Sequence, residues 1–151
     1  MTLYKLFLLV HLMAIVVWVG GMFFALFCLR PAAITVLPPA QRIPLMHAAL
    51  GRFFKIVVVA ILLVLATGVT MAILSGAKSM PVTWLWMMGL GAAMMTVFFH
   101  IRAAPFTRLG KCVDAQDWSS SARHLEQIRL GVMLNLAIGL SIIAVMKLGQ
   151  F

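Results

Sequence analysis

Acidic residues are the scarcest component of this chain: its 151 residues include 3 Asp and Glu together, against 12 Lys and Arg. Charged residues of both signs make up 10%, less than half of the roughly 25% usual in a soluble domain. Cysteine is nearly missing too. Cys28 and Cys112 stand alone, with no CxxC or zinc-type spacing, which excludes a disulfide framework and a cysteine-built metal knuckle. There is no Ser-His-Asp set, no glycine-rich phosphate loop, no pair of carboxylates inside an apolar run and no arginine series. These gaps remove the usual equipment of hydrolases, kinases, proton pumps and voltage sensors.

What is present is apolar. Hydrophobic residues make up 64% of the chain, more surface than one domain of this length can bury, so the solvent they need is lipid. A hydrocarbon core about 30 Å thick is crossed by about 20 mostly apolar residues in a helix. Four stretches meet that length, at about 4–29, 53–75, 82–104 and 128–146. The expectation is an all-α integral membrane protein, a four-transmembrane-helix bundle forming one domain over residues 1–151, with the lipid bilayer as its main partner. The first run is too long for a removable signal peptide and no small-residue cleavage site follows it.

The connections differ in character. Pro31, Pro38, Pro39 and Pro44 interrupt the first, predicting a break and a helix resuming after Pro44. Residues 76–81 read as a tight turn. The third connection, residues 107–127, is the strongly polar one and holds Asp114, Asp117 and Glu126, with Ser119, Ser120 and Ser121 available to cap the helix that leads into span four.

Charge orients the spans. Connections one and three hold nine basic residues, including Arg30, Arg42, Arg52, Arg102 and Arg129, whereas the other side has Lys5, Lys78 and Lys147. The excess predicts a cytoplasmic location for connections one and three, with both termini on the opposite side. Trp84 and Trp86 fall at the outer edge of span three, where aromatic anchors belong. Because the basic residues flank apolar runs rather than coat a soluble face, no nucleic-acid partner is expected despite the net charge of +9. Both cysteines then face a reducing compartment as free thiols. Gly20, Gly21, Gly68, Gly89, Gly91 and Gly139 lie within spans and allow close helix packing, including that of a homodimer.

An ionisable group within a span is costly and is a functional candidate for that reason. The spans hold two, His11 and His100, with Asn135 as a neutral polar group. At 1.5 Å of rise per residue, His11 sits ~10 Å below the outer surface and His100 more than about 15 Å deeper, too far apart to share one metal or one haem iron. At the depth of His11, span two offers Met71 and span three Met87 and Met88; imidazole with thioether suits haem iron or copper, and equally the methionines can be core filler. Trp18 and Met22 share the helical face of His11, and Met88 and Met95 share a face with Trp84. At the inner rim His47, His100 and His124 lie near Arg52, Arg102 and Arg123, a set able to bind a metal or, through arginine forks, carboxylates such as haem propionates. Thr67, Thr70, Asn135 and Ser141 are candidates for hydrogen bonds between helices.

Span one reads His11-Leu-Met-Ala-Ile-Val-Val-Trp18-Val-Gly20-Gly21, and span two opens with Gly51-Arg52-Phe53 and later holds Ala66-Thr67-Gly68. This pattern resembles the copper resistance protein D (CopD) family of bacterial inner-membrane proteins. It is also similar to HemJ-type proteins, which have four spans, bind haem b and act in protoporphyrinogen oxidation. The resemblance implies that His11 is the span-one ligand histidine and Arg52 the basic residue opening span two. HemJ-type proteins carry a lysine shortly after a tryptophan early in span three; here Trp84 is followed by Leu85, Trp86, Met87 and Met88.

Three readings follow. The first is a CopD-like protein of the bacterial inner membrane, with periplasmic termini, binding haem b or copper through His11, Met88 or Met87, with Arg52 and Arg102 as cofactor partners and His100 as a further metal ligand. It would act in redox chemistry or metal homeostasis with a redox or metal-handling partner. The second is HemJ-like protoporphyrinogen oxidation. The third is a non-catalytic membrane scaffold whose histidines are only hydrogen-bonded.

Overall fold

In hydrocarbon no water satisfies a backbone N–H or C=O, so a run of 20 apolar residues has to close its hydrogen bonds within itself. A computed structural model, which describes residues 2–76 and 81–148, answers that demand entirely with helices among those residues. They are α1 (Thr2–Phe24), a π-helical turn (Ala25–Leu29), α2 (Arg30–Val36), α3 (Pro39–Ser75), α4 (Val82–Ala103), α5 (Pro105–Asp114) and α6 (Trp118–Leu148). Four helical stretches are long and apolar enough to cross a membrane, and each extends past the apolar run it contains. Lys78 and the turn residues 77–80 lie outside the described residues.

The expected break falls at Leu37 and Pro38, which are extended, while Pro31, Pro39 and Pro44 are held within helices. Pro31 lacks an N–H, and its ring crowds the carbonyl four residues back. The chain accommodates it by widening the preceding turn, so that the Arg30 N–H reaches back five residues to the Ala25 carbonyl. Helix α3 resumes at Pro39 rather than after Pro44. Pro39 opens it, where a missing N–H costs nothing, and Pro44 follows within its second turn. The cap of α6 is also not a serine. Asp117 Oδ1 accepts the Ser120 backbone N–H at 3.0 Å, because the helix starts at Trp118 and places Asp117 immediately before it. Ser121 instead lies buried one turn in, with no hydrogen-bond partner for its hydroxyl.

Helix α1 packs on α3, α4 on α6, and the short α5 tucks under α6 and α3. Ring contacts tie these elements together at the end bearing α5. Phe98 of α4 meets Trp18 at 6.2 Å and Phe54 at 5.5 Å, both edge-on, and Phe54 meets Phe106 of α5 at 5.0 Å. A Cβ at Gly21 would overlap the Phe53 ring, so the second glycine of the Trp-x-Gly-Gly sequence is what lets α3 close on α1.

Candidate functional site

The buried face of α1 is a single stripe, His11, Ala14, Trp18 and Met22, at the spacing of one helical face. His11 is the residue of that stripe nearest the N-terminus and is 6% exposed. Opposite it, α3 brings Thr67 and Gly68. Nδ1 of His11 and Oγ1 of Thr67 lie 2.9 Å apart. A Cβ added at Gly68 would come within 3.4 Å of His11 Cε1, so the absent side chain leaves room for the imidazole against the α3 backbone.

The direction of this hydrogen bond follows from proton counting. The Thr67 hydroxyl has one proton and donates it to the Leu63 carbonyl at 2.6 Å. It can then only accept from His11, so Nδ1 carries the proton. In the neutral ring Nε2 is therefore left with its lone pair. An imidazole whose one N–H is held by a fixed acceptor, leaving the other nitrogen bare, is the arrangement found at metal-ligating histidines.

A family model described as copper resistance protein D matches residues 47–148, more than half of the chain. The chain belongs to the CopD family. No curated protein sequence and no solved structure matches it. The matched region runs from His47 within α3 to the end of α6 and so includes Thr67 and Gly68, while His11 lies before it. The hydrogen bond is what joins His11 to the family region of this CopD protein.

The remaining candidates are scattered. On α4 the interior stripe runs Trp84, Met87, Gly91, Met94, Phe98 and Ile101, and its first three members are only half-buried. Met87 belongs to this stripe. Met88, the next residue round the helix, is 54% exposed and turned away from the packed interior that holds His11. Of the three methionines at the depth of His11, Met71 is the buried one, and it follows Thr67 by one helical turn on the same face of α3.

At the other end of the bundle His100, Arg52 and Arg102 are exposed. His47 stacks on Phe106 with ring centroids 5.0 Å apart, and His124 pairs with Gln127 at 3.1 Å. Among the described residues no three His, Cys, Asp or Glu side chains gather closely enough to hold a metal ion. Thr70 and Ser141 bond to carbonyls of their own helices, Ala66 and Ala137, rather than across to a neighbour. Asn135 is fully buried with its Oδ1 unpartnered.

The sequence marks Thr67 as a candidate for a hydrogen bond between helices and Met71 as one of the methionines at the depth of His11; it does not single out His11 as the partner of Thr67 or Met71 as the buried one of the three. The signal was there in part: Thr67 and Gly68 stand side by side in the middle of an apolar span, with Thr70 as the nearest other polar residue.

Proposed function

We propose that this CopD-family membrane protein holds haem b or copper at His11 and serves redox chemistry or metal homeostasis. The observation behind the reading is the buried imidazole fixed through Nδ1 by Thr67, which leaves Nε2 as the donor. Imidazole is a ligand common to haem iron and copper, and a thioether complements it in both cases. Met71 is the favoured second donor by burial and helical face, with Met87 next to it in order and Met88 behind. The bound group would supply a one-electron couple; the protein supplies the donor nitrogen, its fixed tautomer and a water-poor surrounding.

The site lies in the half of the bundle that the charge distribution assigns to the periplasmic side of a bacterial inner membrane, with both termini there. A reporter fused at the C-terminus and active only in the cytoplasm would overturn that orientation if it gave signal.

The deciding experiment is an absorption spectrum with metal analysis of the purified protein in detergent. A Soret band that His11→Ala abolishes supports haem. A colourless protein that retains copper after dialysis, and loses it in His11→Ala, supports copper. Neither group in the wild type would leave His11 as a hydrogen-bonded packing residue and the protein as a scaffold.

A further inference from the structure

Away from His11, three helices each bring one arginine to a single cleft. Arg30 comes from α2, Arg42 from α3 and Arg129 from α6, around a cavity of about 90 Å³. Beneath them the walls are aliphatic and well packed: Ile43, Met46 and Leu50 from α3, and Ile128 and Val132 from α6, are all at most 5% exposed.

One carboxylate serves this set. Glu126 accepts from Arg30 Nη2 at 3.1 Å and from Arg129 Nε at 2.8 Å. Arg42 has no ion pair among the described residues. The cleft therefore holds two positive charges in excess at its rim, beside the partly open apolar side chains of Leu26, Ile34 and Leu125. Guanidinium groups gathered at the edge of hydrocarbon without counter-charge are costly, and their planar donors match phosphate oxygens. A ligand completing this site needs an anionic head and an attached hydrocarbon tail.

We propose that the cleft between α2, α3 and α6 binds one acidic phospholipid, its phosphate on Arg30, Arg42 and Arg129 and an acyl chain against Leu26, Ile34 and Leu125, the lining residues that keep open apolar surface. Basic pockets between membrane helices are a recurrent means of recognising anionic headgroups. Glu126 competes with the phosphate for two of the three arginines and so sets the affinity below what the arginines alone would give.

The test is native mass spectrometry of the protein released from nanodiscs of phosphatidylcholine containing phosphatidylglycerol. The wild type is expected to keep one phosphatidylglycerol in preference to phosphatidylcholine. Arg42→Gln should lower that preference about fivefold, the effect of one cation at an anionic surface, while Arg108→Gln, on the exposed face of α5, should leave it unchanged. Glu126→Gln should raise it, an outcome that a purely structural ion-pair role for the arginines does not produce. Millimolar inorganic phosphate should not displace the lipid, because it lacks the tail. Equal retention of the two lipids by the wild type, an unchanged preference in Arg42→Gln, displacement by inorganic phosphate, or a porphyrin in the retained mass would each overturn the proposal.

Discussion

The two ends of the bundle are built to different standards. At the arginine-bearing end, packing continues past the apolar spans: Ile43, Leu109 and Ser121 are all essentially inaccessible, and rings from α1, α3, α4 and α5 lock together. At the His11 end packing stops early. His11 is the outermost buried residue of α1 and Met71 that of α3, while α4 buries nothing before Met94 and α6 nothing after Gly139. The difference separates two tasks. One end holds the helices together; the other leaves His11 at the margin of the packed interior.

The largest test of that contrast is a cut into the tight end. Phe54→Ala removes a ring that contacts Phe53, Phe98 and Phe106. It should cost about 3 kcal/mol of unfolding free energy in detergent, the low end for a buried Phe because lipid rather than water replaces the lost contacts. Met71→Ala, near the His11 end, should cost clearly less in the same titration. Equal losses would mean that the two ends are packed alike.

Next in size is the His11–Thr67 bond. Thr67→Val keeps the shape and deletes the acceptor, so stability should fall by about 1 kcal/mol. Affinity for the bound group should drop ten- to a hundredfold, as when a partner that orients a ligand histidine is removed. Thr70→Val, whose hydroxyl serves its own helix, should change neither quantity. Metal or haem titration of the three proteins decides the matter.

A smaller effect separates the methionines. Met71→Leu should shift the absorption bands or weaken copper retention by severalfold, whereas Met88→Leu, being on the exposed face of α4, should leave both as in the wild type. The reverse result would move the second donor onto α4.

The smallest effect concerns the cap of α6. Hydrogen bonds from Ser120, and then Arg123 nearby, hold the Asp117 carboxyl below the usual aspartate range. The folded value lies under the unfolded one, so this contribution is complete above the unfolded value and fades as pH falls through the folded one. The protection of the amides in the first turn of α6, measured against their intrinsic exchange rate at each pH, should therefore fall on acidification below pH ~4, and Asp117→Ala should lower it at neutral pH as well.

The extent to which these features are legible in the chain follows from how strongly each residue declares its environment. Four helices are legible because lipid admits no other way to satisfy the backbone. The stripe His11, Trp18 and Met22 is legible because a polar and an aromatic residue at helical spacing mark one face. The inward face of α4 is not: residues 85–99 are apolar or small on every side, so nothing in them distinguishes Met87 from Met88. The resumption of α3 at Pro39 is obscured because proline both ends helices and opens them. The Asp117 cap is hidden by three neighbouring serines that are equally good in isolation. Contacts such as Arg30 with Glu126 or His11 with Thr67 join residues 96 and 56 positions apart, and no local pattern encodes them.

The widened turn at Ala25–Leu29 has a consequence for how this chain can change length. A helix that closes one turn over five residues instead of four is an ordinary helix that has absorbed an inserted residue. Losing any one of those five would convert the turn to the common form and keep Arg30 in line with Glu126, whereas losing one residue elsewhere in α1 would swing everything downstream by about 100°. The turn is thus the one place in the first span where a deletion spares both His11 and Arg30, and Pro31 is what resists it, since its ring would then press on the helix behind.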